Sequence, residues 1–234
     1  MVKQMDKTAD YYEAKEFRQS KALTAAIILA TFVYILTSSI AFPILCKPFY
    51  YAQIGNLYLE QRSGLSREQI ETAYSEVIDY CIGVRKDFAV GDLDYSEAGK
   101  QNFEDCRVLF ILDLALLAVS LAILIAWLVI KRRDRIESAR ILGRGPGFWG
   151  AALELITFAV IGSLGSIDFD KTFVVFHSIF FPGKDNWIFN YRVDPVIKIL
   201  PEAFFMRCAI LIVGLIIVQS IVIMIIDKKK KKLA

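Results

Sequence analysis

The chain has 234 residues, a net charge of +3 and a hydrophobic share of 56%, with a mean hydropathy of +0.46. That apolar balance is high for a water-soluble domain and directs the reading toward a membrane protein of one domain. The small net charge conceals an uneven distribution of bases and acids along the chain. Crossing a hydrocarbon core of about 30 Å takes about 20 mainly apolar residues at about 1.5 Å each. Four segments satisfy that requirement, at about 22–46, 108–130, 148–167 and 203–226.

The first segment carries no Lys, Arg or Glu and is too long for the apolar region of a signal peptide, so it is expected to remain as a span. Lys3, Lys7, Lys15, Arg18 and Lys21 precede it. The outer segment about 47–107 opens with the aromatic residues Phe49, Tyr50, Tyr51 and Tyr58, which suit headgroup depth. Ser66, with Gln69 three residues on, makes a capping box. Ile70, Ala73, Tyr74, Val77, Ile78, Cys81 and Ile82 then recur at helical spacing until Gly83 ends the run. The spacing predicts an amphipathic surface helix. A loop rich in Gly, Asp and Ser leads into the second span, interrupted near its start by Asp113.

Between spans two and three lie Lys131, Arg132, Arg133, Arg135, Arg140 and Arg144, and the tail runs from Lys228 to Lys232 without a break. Basic residues beside spans are retained on the cytoplasmic side, so both termini and the loop about 131–147 are expected there. The tail is explained by topology and by anionic lipid, and is no nucleic-acid signature. The third span carries Glu154 with Gly150, Gly162 and Gly165, which suits a helix packed within the bundle. Polar residues inside the spans are few, Glu154 and Gln219 chief among them, which argues against a channel or carrier.

The outer segment about 168–202 carries Phe169, Phe173, Phe176 and Phe180 at intervals of three and four, a stripe on one helix face that Pro182 and Gly183 end. It is too short and polar to span, and a Phe-rich helix lying in the outer leaflet fits it, with Trp187 and Tyr191 as interfacial rings. His177, the only histidine, lies one turn beyond Phe173. An imidazole at acyl-chain depth is suited to general base work, since its pKa near neutrality lets it take and return a proton. Of four cysteines only Cys81 and Cys106 are placed to pair outside, and no Cys or His spacing suits a metal.

The stretch FDKTFVVFHSIFFPGKDNWIF, followed by DPVIKILPEAFF, resembles the Phe-rich, His-containing outer segment of the Lit family, bacterial lipoprotein intramolecular transacylases. YSEAGKQNFEDCRVLF is similar to a second family stretch, in which Ser and Gly precede a His-Phe pair, an Asp and a base. By that resemblance Asn102 stands where the family has a histidine. Phe189-Asn190-Tyr191 also stands where an Asp-Pro is common. The resemblance implies an all-α protein of four spans in the bacterial cytoplasmic membrane. Its implied activity transfers the sn-2 acyl chain of a diacylglyceryl lipoprotein to the α-amine of the N-terminal cysteine at the outer leaflet. It further implies His177, Asn102 and Asp105 as the catalytic set, and Arg107, Phe173, Phe176, Phe180 and Trp187 as substrate contacts. Lipoprotein and membrane lipid are the expected partners of a monomer that uses no cofactor, metal or nucleic acid. A catalytically impaired or silent relative that binds lipid or lipoprotein is the alternative.

Overall fold

A computed structural model describes residues 21–133, 138–165 and 169–232. The basic arm before Lys21, residues 134–137, which include Arg135, and residues 166–168 at the end of the third expected span lie outside that description. The side chains of Arg132, Arg133, Phe169 and the last tail lysines lie outside it as well.

Among the described residues, four helices are long and apolar enough to cross a membrane. They are α1 (Lys21–Leu45), α6 (Glu97–Arg133), α7 (Pro146–Gly165) and α9 (Glu202–Lys232). Helix α1 is the centre of the bundle, packed against α6, α7 and α9. Where α1 meets α7 the backbones nearly touch. A Cβ on Gly150 would lie 2.6 Å from the Ile28 carbonyl oxygen and 2.6 Å from Thr31 Cβ. Small residues permit this approach where hydrophobic driving force between helices is weak. Gly150→Ala is therefore expected to destabilise the protein by about 1–3 kcal/mol, the usual cost of overpacking. Thermal denaturation in detergent would register it, with Gly214→Ala, which meets nothing within 4 Å, as the unaffected control.

The bundle carries a small polar seam. Ser38 Oγ donates to Gln219 Oε1 at 3.0 Å, and Gln219 Nε2 donates to Ser39 Oγ at 2.9 Å. Gln219 thus finds partners across α1 and α9, as a polar group in lipid must. Glu154 is fully buried in α7.

The outer segments form a cap with its own core. Three short helices, α2 (Lys47–Tyr51), α3 (Gln53–Asn56) and α4 (Leu59–Ser63), lead to α5 (Arg67–Cys81). The expected capping box is present: Ser66 Oγ accepts from Gln69 N, and the Gln69 side chain accepts from Ser66 N. Its apolar face is buried through Ile70, Ala73, Tyr74, Val77 and Ile78. Tyr50 stacks on Tyr74 with ring centroids 3.6 Å apart and donates its hydroxyl to the Ile199 carbonyl at 2.7 Å. Tyr50 is therefore core, not the headgroup-depth ring that its neighbourhood suggested. Tyr58 is the exposed member of that group. Lys47 bonds Asp79 at 2.7 Å and Ser75 at 2.6 Å, which pins α2 to α5.

Helix α6 begins at Glu97, well before the expected start of the second span near Val108. At about 1.5 Å per residue its 37 residues extend about 55 Å, more than a hydrocarbon core about 30 Å thick, so some of its turns lie beyond that core. The second outer segment contributes α8 (Phe169–Phe180), which ends where Gly183 takes a φ of +74°. A 3-10 turn at Pro195–Lys198 then leads into α9. All four cysteines are free thiols, so Cys81 and Cys106 do not pair. Cys81 is buried, and burial pushes its thiol well above the ordinary range.

Candidate active site

His177 sits in the last turn of α8, and its environment is largely aromatic. The ring stacks on Trp187 at 4.4 Å between centroids and contacts Phe173 at 4.2 Å, Phe176 at 5.4 Å and Phe181 at 5.7 Å. Its Nδ1 lies 2.7 Å from the Phe173 carbonyl oxygen. A carbonyl only accepts, so Nδ1 carries the proton and the neutral ring keeps its lone pair on Nε2. Burial lowers the pKa below the ordinary value of 6.5, partly offset by the bond to Phe173. The imidazole is then neutral at pH 7 and ready to accept a proton.

Because the chain holds one histidine, a labelled-histidine NMR titration reads this site without assignment. The transition is expected below 6.5 in the folded protein and near 6.5 after denaturation. A folded-state value above 6.5 would contradict the burial argument.

The stripe divides as its exposure dictates. Phe173 is half-buried against His177, while Phe176 and Phe180 pack on one another with tilted rings 4.6 Å apart and are nearly half exposed. With exposed Val175 and Ile179 they give α8 an apolar outer face beside the imidazole. Phe181, outside the expected stripe, is buried beneath the ring.

The two outer segments meet at Asp105. Lys184 Nζ bonds its Oδ1 at 2.5 Å, and Asn186 Nδ2 donates to its Oδ2 at 3.1 Å. Asp105 thus reaches His177 through the 184–187 segment, whose Trp187 lies on the imidazole. Trp187 is itself anchored by its Nε1 to the Lys184 carbonyl at 3.1 Å. One turn earlier on α6, Asn102 is buried and its Oδ1 has no hydrogen-bond partner. Arg107 turns away to the first outer segment, where it bonds the Arg85 carbonyl at 3.0 Å and lies 4.7 Å over the Tyr80 ring.

A second junction holds α6 in place. Ser96 donates to Asp194 through its backbone N at 2.7 Å and its Oγ at 2.9 Å, and Ser96 Oγ accepts from Gly99 N at 2.9 Å. The buried Asp194 carboxylate therefore sits at the amino end of α6, where the helix dipole favours a negative charge. Nearby, Phe103 stacks on Phe88 at 5.1 Å and meets the tilted ring of Phe189 at 5.8 Å. Lys184, Asn186, Ser96 and Asp194 were not identified from sequence. The serine three residues before Gly99, at the foot of a polar helix start, was the one local cue for the Ser96 cap. Among the described residues no His, Cys, Asp and Glu cluster is arranged to hold a metal.

Comparison with known proteins agrees with this architecture. Among solved structures, the chain is similar to the membrane integral lipoprotein intramolecular transacylase Lit from Bacillus cereus, with a TM-score of 0.80 at 22% identity, covering 92% of this chain and 98% of that one. Two further structures of the Bacillus cereus protein carry one histidine replaced by arginine or by alanine. They align with TM-scores of 0.74 at 22% and 23% identity, covering 97% and 96% of this chain and 99% of each of theirs. Comparison with curated proteins returned no match. The family model described as lipoprotein intramolecular transacylase Lit matches residues 25–205, most of the chain, and the protein therefore belongs to the Lit family.

Proposed function

We propose that this protein transfers the sn-2 acyl chain of a diacylglyceryl lipoprotein to the α-amine of the lipoprotein's N-terminal cysteine, yielding a lyso-form lipoprotein. The observation that carries the reading is His177 held in the tautomer that keeps its lone pair on Nε2, beside an apolar outer face and the Asp105 junction. Membership of the Lit family supports it. The four spans hold this site at the outer leaflet of the bacterial cytoplasmic membrane, with the termini and the loop 131–147 on the cytoplasmic side. The acyl chains lie against the exposed Phe176 and Phe180, and Trp187 and Phe173 fix the imidazole.

The neutral α-amine attacks the sn-2 ester carbonyl while His177 Nε2 takes its proton. A tetrahedral oxyanion forms, the carbonyl carbon to glyceryl oxygen bond breaks, and the imidazolium returns the proton to the leaving glyceryl oxygen. One imidazole suffices because the proton accepted in the first step is donated in the second. Asn102 exchanges no proton at neutral pH. Rotating its amide presents Nδ2 as a hydrogen-bond donor to the developing oxyanion. Asp105, neutralised by Lys184, orders the 184–187 segment that carries Trp187.

The test is conversion of a synthetic diacylglyceryl lipopeptide by the purified protein in liposomes. Acyl transfer is an isomerisation and leaves the mass unchanged, so tandem mass spectrometry must locate the acyl chain on nitrogen. Loss of reactivity toward an amine label would accompany it. A lipopeptide that stays O-acylated would overturn the reading and favour a silent lipid-binding relative. Asn102→His separates the two further, since a second imidazole would divide the base and acid steps and raise the rate of a working enzyme by up to about 100-fold.

A further inference from the structure

Asn186 is the polar side chain nearest in sequence to Trp187, the ring that lies on His177, and its amide is left half-used. Its Nδ2 donates to Asp105 Oδ2, while its Oδ1 is shielded from solvent and has no hydrogen-bond partner. The orientation is not interchangeable. Turning the amide over would set its carbonyl oxygen against the Asp105 carboxylate, whose other oxygen is already bound to Lys184. The acceptor is thus fixed in place, and a buried acceptor without a donor is costly enough to call for one.

The proposed substrate offers few donors near the reacting ester. Its ester and thioether groups only accept, so a hydrogen-bond acceptor there reads the peptide end. We propose that, once the lipoprotein displaces the side chains that cover it, Asn186 Oδ1 accepts a hydrogen bond from the α-amine of the substrate's lipid-bearing cysteine. This positions the nitrogen with its lone pair toward the ester, while His177 receives the proton released on attack. Asn186 is then a positioning and specificity residue that requires a free amino group. The inference rests on the proposed transacylase reading, but it can be tested without turnover.

The probes are two dialkyl ether lipopeptides, which cannot be isomerised, one with a free α-amine and one lacking the amino group. Their affinities are measured by fluorescence titration against the full chain in nanodiscs at pH 9, where the amine is largely neutral. The wild type is expected to bind the amine-bearing probe about 3- to 10-fold more tightly. Asn186→Ala is expected to bind both alike, the amine-bearing probe losing its advantage whatever the loss of the Asp105 bond does to both. Equal weakening of both probes would show a merely structural role and overturn the inference, as would a wild type that does not discriminate. The wild-type comparison stands even if the variant fails to fold. Discrimination without isomerisation of the ester lipopeptide would sink the transacylase reading and leave the amine site standing. Isomerisation without discrimination would sink this inference alone.

Discussion

Replacing His177 by alanine is expected to lower acyl transfer by about 100- to 10,000-fold, the usual cost of losing a general base and acid. The reaction requires a proton to leave the amine and reach the glyceryl oxygen, and no second histidine exists to take it. Asp105 is a poor substitute, since both of its oxygens are engaged, by Lys184 and Asn186. The loss should fall on turnover more than on substrate affinity, because the exposed rings Phe176 and Phe180, proposed to meet the acyl chains, pack on one another and do not depend on the imidazole. His177→Gln, which fills similar space without an exchangeable proton, should be equally slow. Added imidazole is expected to restore part of the rate in His177→Ala, which leaves a gap between Trp187 and Phe173. Undiminished transfer by both variants would remove His177 from the chemistry.

The four spans were legible because lipid demands long apolar helices, and few other arrangements satisfy their backbone groups. Helix α5 was legible for local reasons, a capping box followed by apolar residues at helical spacing. The start of α6 was hidden because Glu97, Gly99, Lys100, Glu104 and Asp105 lower hydropathy just where the helix begins. Two ion pairs at helical spacing and the tertiary aromatic contacts of Phe103 hold that helix. Lys100 lies 3.4 Å from Glu97 and 3.9 Å from Glu104, and the buried Phe103 packs between rings from both outer segments. Asp105 is expected from sequence as a site residue, but its ties to Lys184 and Asn186 join positions about 80 apart in the chain. Such pairings carry no periodic signal. Tyr50 illustrates the same limit, since an amphipathic ring suits a membrane interface or a core, and its stacking on Tyr74 decided the matter.

Gly99→Ala is expected to reduce transfer by about 100-fold, although residue 99 bears no reactive group. An added Cβ would lie 2.3 Å from Asp194 Oδ1, 3.0 Å from its Cγ and 3.3 Å from Phe189 Cε1. Asp194 cannot simply swing aside, because it is buried and both oxygens are bonded to Ser96. Relief must come from moving the second outer segment away from α6. That displacement also shifts Lys184, Asn186 and Trp187 relative to Asp105 and Asn102, and a misplacement of about 1 Å can cost about 100-fold in rate. Ser96→Ala removes the cap and one bond to Asp194 without inserting bulk, so it should cost about 1 kcal/mol of stability and less activity. The decisive comparison is a double-mutant cycle with Asp194→Ala, which removes the carboxylate that the new methyl would strike. In that background Gly99→Ala should cost little further activity, because the two changes act on one contact and are non-additive. An undiminished penalty would show that the glycine matters for another reason.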